Sequence, residues 1–131
     1  MSSGTILLVE DEGLIALHLM EVLTNAGYTV TDLITSGEEL LELLEHSAMP
    51  DAIIMDIGLA GEIDGIETAR RLRDRHNIRV IFLTAYSDQN RLEEANEVNP
   101  YEYLIKPVMR EDLLRAVDKS IASGKTKNIV R

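Results

Sequence analysis

Strand-like segments alternating with helix-like ones, five times over, limit what this chain can become more than any other feature. Three of the segments are nearly unbroken apolar runs: Ile6-Leu7-Leu8-Val9 after Thr5, Ala52-Ile53-Ile54-Met55, and Val80-Ile81-Phe82-Leu83. Runs of that length without polar alternation read as strands buried on both faces. Tyr28 to Ile34 mixes Thr29, Thr31 and Asp32 with apolar residues, as an edge strand does, and Tyr101 to Ile105 supplies a fifth strand. Between them lie helical patterns. The first runs from Leu14 to Ala26 and closes at Gly27; the second starts at Ser36, whose capping-box partner Glu39 precedes Leu40, Leu41, Leu43 and Leu44. Asp64-Gly65 opens a third, with Ile66, Ala69 and Leu72 on one face. Ser87 or Asp88 is expected to cap a fourth reaching about Val98, where Asn99-Pro100 breaks it; Leu113, Leu114, Val117 and Ile121 mark the last. Strand–helix alternation requires crossover connections, so the expected fold class is α/β, a parallel sheet with right-handed crossovers and helices on both faces.

At 131 residues and 45% hydrophobic content, one domain with a substantial core is expected. The chain has no cysteine, so neither a disulfide nor a thiolate metal site holds it together. Its start, Met1-Ser2-Ser3-Gly4, is polar and the apolar run that follows is short, which reads against a signal peptide or a membrane span. A formal charge of -10 opposes direct contact with nucleic acid phosphates and favours a cationic partner or a metal ion.

The alternation also places the polar groups that carry chemistry. Glu10 and Asp11 follow the first strand, Asp56 ends the third, Thr84 ends the fourth and Lys106 follows the fifth. In an open parallel sheet these positions meet at the carboxyl edge, where ligands bind. Three carboxylates meeting there repel one another unless a cation sits among them, and an all-oxygen set with positions left for water suits Mg²⁺. A carboxylate beside such a cation can attack phosphorus, while a lysine and a hydroxyl receive the phosphoryl oxygens. His18, His46 and His76 have no ligand spacing and are read as surface or packing residues.

The ordered set Glu10-Asp11, Asp56, Thr84-Ala85 and Lys106-Pro107 resembles the CheY-like receiver domain of two-component response regulators, over roughly Thr5 to Ala122. The resemblance implies a flavodoxin-like, doubly wound five-stranded parallel sheet in the order 2-1-3-4-5, with five helices. It implies Asp56 as phosphoacceptor, with Glu10, Asp11, Asp56 and the Gly58 carbonyl holding Mg²⁺. Thr84 and Lys106 would receive the phosphoryl group, Thr84 and Tyr103 would form the switch, and Lys106-Pro107 would be cis. The implied donor is a phosphohistidine of a histidine kinase or phosphotransfer domain, and the implied recipient a downstream effector protein or a covalently linked output domain. A homodimer through the fourth helix, fifth strand and fifth helix is a further expectation, as are a cytoplasmic location and no catalysis beyond the domain's own phosphorylation and dephosphorylation. Residues 1–122 would be the receiver and 123–131 a tail or linker.

Several residues depart from the commonest receiver pattern. Leu59-Ala60 stands where Met-Pro is usual, Asp64-Gly65 is one residue farther from Asp56, and Asn99-Pro100 replaces a Gly-Ala-type entry to the fifth strand. Receivers tune phosphoryl lifetime two positions beyond the phosphoacceptor and the switch hydroxyl; here those residues are Gly58 and Tyr86. On the first helix Ile15, Leu19, Val22 and Ala26 are expected to face inward, leaving Leu14, Leu17 and Met20 as surface for a phosphotransfer helix or for packing against the last helix. Two other readings compete. A Mg²⁺-dependent aspartyl phosphatase of the haloacid dehalogenase type needs a second Asp where Gly58 stands, and a phosphorylation-independent interaction domain would ordinarily lack part of the site.

Overall fold

The computed structural model describes residues 3–76 and 78–130, with side chains described through residue 124 apart from that gap; Met1, Ser2 and Arg131, which belong to the expected polar start and tail, lie outside the described residues. Five strands, β1 (Thr5–Val9), β2 (Thr29–Ile34), β3 (Ala52–Asp56), β4 (Ile81–Thr84) and β5 (Glu102–Ile105), alternate with α1 (Gly13–Asn25), α2 (Gly37–His46), α3 (Gly65–His76), α4 (Leu92–Asn96) and α5 (Arg110–Val130). All pairings are parallel and the order is β2-β1-β3-β4-β5. That is the flavodoxin-like arrangement expected from the alternation and the resemblance.

Successive strand residues point to opposite faces, and the sheet divides the core accordingly. Leu7, Val9, Ile53, Met55 and Phe82 pack with Leu40 and Leu44 of α2, Ile66 and Leu72 of α3, and Ala95 of α4. Ile6, Leu8, Ile54, Ile81 and Leu83 pack with Leu19, Val22 and Leu23 of α1 and with Leu113, Val117 and Ile121 of α5. Every residue of β3 is buried, as its unbroken apolar run requires, whereas β2 is an exposed edge apart from Ile34.

Local chemistry sets the helix ends. Ser36 Oγ accepts from Glu39 N–H at 3.2 Å at the start of α2; the reciprocal half of the box is altered, because Glu39 instead accepts from Thr35 Oγ1. Asp64 Oδ1 accepts from Glu67 N–H at 2.9 Å and caps α3. Behind that cap, Gly65 lies so close to the end of β3 that a Cβ there would stand 2.2 Å from the Asp56 carbonyl oxygen. Only glycine fits that approach. Gly27, at φ 103°, closes α1 in the left-handed region that glycine adopts without strain.

Two expectations are corrected. The fourth helix is not one helix capped by Ser87 or Asp88. It is a 3₁₀ segment, Tyr86–Arg91, followed by the short α4. Asp88 N–H donates to the Ala85 carbonyl at 3.0 Å while the Asp88 carboxylate turns back to Ala85 N–H, which tightens the first turn into 3₁₀ form. On α1 the buried residues are Ala16, Leu19, Val22 and Leu23; Ile15, Met20 and Ala26 are half-buried at the edges. The buried arc is rotated by one position from that expectation, toward Ala16 and Leu23. Glu12 takes the cap position of α1 without a side-chain cap bond. α5 continues through Ser123 and Gly124, where linker composition suggests a tail.

Candidate functional site

Strand order decides which carboxylates meet. β1 and β3 are neighbours, with Val9 paired to Met55, so the residues that follow each strand are side by side at the carboxyl edge. Glu10 N–H donates to the Ile34 carbonyl at 2.9 Å, extending the strand pairing by one residue and pulling Glu10 inward. Glu10 and Asp56 are 1% and 5% exposed; Asp11, one residue on, is exposed. One carboxylate oxygen from each of Glu10, Asp11 and Asp56 lies within 4.8 Å of the others.

These oxygens have partial partners only. Gly58 N–H donates to Asp56 Oδ1 at 3.2 Å, Ala60 N–H to Asp11 Oδ2 at 3.1 Å, and Glu12 N–H to Glu10 Oε2 at 3.1 Å. Lys106 Nζ enters from the end of β5, 3.0 Å from Glu10 Oε1, 3.3 Å from Asp56 Oδ2 and 3.3 Å from Glu12 Oε1. The contact with Glu10 Oε1 is an ion contact without hydrogen-bond alignment, and that buried oxygen makes no hydrogen bond. Burial and, to a smaller degree, the nearby Asp56 charge push the Glu10 carboxyl up to about 7 although Lys106 opposes the shift. Burial works against the Lys106 charge, but Glu10 and Asp56 outweigh it and raise the ammonium above its usual value. One lysine is thus shared among three acids. A buried oxygen lacking a hydrogen bond, in a cluster of oxygen donors short of positive charge, fits a hard divalent cation such as Mg²⁺.

Thr84 ends β4, buried, with its hydroxyl donating to the Ala85 carbonyl at 3.3 Å. Lys106-Pro107 is cis, as the resemblance implies. Tyr103 is not assembled with the acids. It is half-buried on β5, its ring 6.1 Å from that of Phe82 and its hydroxyl donating to Asn96 Oδ1 at the end of α4. Burial raises its phenol. Tyr86 is 79% exposed and covers nothing.

Two groups near the site escaped the sequence reading. Asp88 Oδ2 accepts from Ala85 N–H at 3.3 Å, and a Cβ built on Gly58 would lie 3.6 Å from Asp88 Oδ2 and 4.0 Å from Asp56 Oδ1. Asp88 therefore faces the space beside Asp56. Arg91 pairs with Asp64 and reaches Glu94 at 3.7 Å, fastening the 3₁₀ segment to the start of α3. Burial opposes the Asp64 charge, yet Glu67 N–H and Arg91 hold its carboxyl below the usual range. The signal available was position alone: both residues lie within seven of Thr84.

With this geometry in view, the comparisons with known proteins agree on one family. The sequence matches the response regulator receiver domain over residues 6–118. The transcriptional regulatory protein PdtaR of Mycobacterium tuberculosis is 32% identical over 117 residues, covering 89% of this chain and 56% of the relative. The positive alginate biosynthesis regulatory protein of Pseudomonas aeruginosa is 40% identical over 118 residues, covering 88% of this chain and 46% of the relative. The chain thus spans about half the length of these curated relatives. Among solved structures, the signal receiver domain of a modulated diguanylate cyclase from Desulfovibrio desulfuricans is similar with a TM-score of 0.88 and 36% identity, covering 96% of this chain and 99% of that one. Fold, site position and sequence lead to the same conclusion: this chain belongs to the family of response regulator receiver domains of two-component signalling.

Proposed function

We propose that the chain accepts a phosphoryl group on Asp56 and passes the modified state to a partner by a change of surface. The observation that carries this reading is a buried carboxylate at the end of β3 with one lysine ammonium 3.3 Å away and two further acids beside it. The Asp56 carboxylate attacks phosphorus of a phosphohistidine on a histidine kinase or phosphotransfer domain. The P–N bond breaks with its electron pair left on the imidazole, and a P–O bond to Asp56 forms. Lys106, released from the acids it now bridges, neutralises one phosphoryl oxygen, and the Thr84 hydroxyl turns from the Ala85 carbonyl to another. Glu10, Asp11, Asp56 and the Gly58 carbonyl would hold Mg²⁺, which supplies charge neutralisation to the phosphoryl oxygens when bound.

Beyond this self-modification the domain has no enzymatic role in our reading. We assign residues 1–122 to the receiver and 123–131 to a tail or linker. Among the described residues no helix is long and apolar enough to cross a membrane, and we place the protein in the cytoplasm, where histidine kinases present their phosphohistidine. The face of α4, β5 and α5 is the proposed output surface, open to an effector or to a second copy of the chain.

Intact mass after incubation with a small-molecule phosphodonor and Mg²⁺ tests the reaction. One phosphoryl increment is expected, absent in Asp56→Asn and absent without metal. No increment in the wild type, together with no Mg²⁺ binding, would replace this reading with that of a phosphorylation-independent interaction domain.

A further inference from the structure

The 3₁₀ segment after β4 carries a carboxylate that the reaction does not use. Asp88 is half-buried, and Ala85 N–H, three residues back, holds its Oδ2 at 3.3 Å. The direction of that bond turns the carboxylate inward over Gly58. Gly58 has no side chain, and the position its Cβ would take is 3.6 and 3.7 Å from the two Asp88 oxygens and 4.0 Å from Asp56 Oδ1. Arg91 lies close enough to feel the Asp88 charge, but its hydrogen-bonded partner is Asp64 and its second carboxylate neighbour is Glu94. Lys106, the cation of the site, is bound to Glu10, Glu12 and Asp56. Asp88 therefore presents negative charge to the Oδ1 side of Asp56, while Lys106 stands at Oδ2.

We propose that Asp88 is an electrostatic brake on phosphorylation of Asp56, a positioning residue that acts through its charge. This inference rests on the phosphoacceptor reading above. The phosphoryl group brings further negative charge close to a carboxylate that Ala85 holds in place, in a crevice where charges are screened less than in water. The brake releases only when Asp88 turns outward or loses its charge. A side chain at position 58 would start within van der Waals reach of both carboxylates; glycine leaves that position empty.

The test compares initial rates of phosphorylation by a small anionic phosphodonor with Mg²⁺, followed by intact mass, for the wild type, Asp88→Asn, Asp88→Ala and Asp74→Asn. The Asp88→Asn amide can still accept from Ala85 N–H but carries no charge. Both Asp88 variants are expected to react about tenfold faster than the wild type. Asp74→Asn, which removes an exposed charge on α3, should change the rate less than twofold. Raising ionic strength should accelerate the wild type more than Asp88→Asn, a response that a merely structural role would not produce. Asp88→Asn at the wild-type rate would overturn the inference, whether or not Asp88→Ala differs, and so would an acceleration in Asp74→Asn equal to that in Asp88→Asn. Wild-type protein that takes no phosphoryl group while the Asp88 variants do would support it in its strongest form. If none of the four takes a phosphoryl group, the phosphoacceptor reading fails and the brake with it; if the wild type does and the Asp88 variants are no faster, only the brake fails.

Discussion

At the scale of single residues, Glu10 records the charge imbalance of the site. Its ordinary value is 4.5 and burial lifts it to about 7. Between those values the folded, metal-free protein keeps a proton that the unfolded chain releases, so this group's contribution to stability is present at low pH and declines as pH rises toward 7. A divalent cation held by this carboxylate would take the place of that proton. We therefore expect Mg²⁺ to raise the melting temperature by about 3 °C or more at about pH 8 and by much less at about pH 5.5, measured by circular dichroism. An equal shift at both values would show that Glu10 does not govern cation binding. The sequence made the acids and Lys106 legible because each follows a recognisable strand. It did not make Glu12 legible as a third partner of Lys106, or Asp88 as a carboxylate beside Gly58, since both placements depend on side-chain directions that turns create.

At the scale of elements, what could be read from the chain was whatever follows from periodicity and short-range capping. β3 and its buried faces, the Ser36 and Asp64 caps and the edge character of β2 all belong to that class. The 3₁₀ segment does not, because its choice over an α-helix is made by two bonds to Ala85 that no hydrophobic pattern encodes. Nor could the buried arc of α1 be centred correctly from one helix alone. Leu14 and Leu17 are nevertheless 86% and 53% exposed, as its periodicity suggests. The junction of β3 and α3 is tightly constrained by backbone. Gly65→Ala forces a methyl group against the Asp56 carbonyl and should destabilise the fold by about 1–3 kcal/mol in urea unfolding. A wild-type midpoint in that variant would mean that α3 can slide away from the strand end, and with it the cap that holds Arg91.

At the scale of the whole molecule, the sheet joins a chemical edge to a distant surface. Tyr103 sits between them, stacked on Phe82 of the core and tied by its hydroxyl to Asn96 of α4. If movement of Thr84 reaches the output face through this ring, a phosphoryl mimic with Mg²⁺ should shift the Tyr103 ring resonances in NMR and should not do so in Asp56→Asn. Unshifted rings under a saturated mimic would leave the switch to some other route. The two cores have a broader consequence. Ile54 and Met55 are consecutive in the chain yet belong to packings that share no helix, one with α1 and α5 and the other with α2, α3 and α4. Repacking one side should leave the other nearly undisturbed, and substitutions on opposite sides should combine additively. Such a molecule can be revised, over generations, one layer at a time: the packing beneath α1 and α5 can be rewritten while the text beneath α2, α3 and α4 is left as it stands.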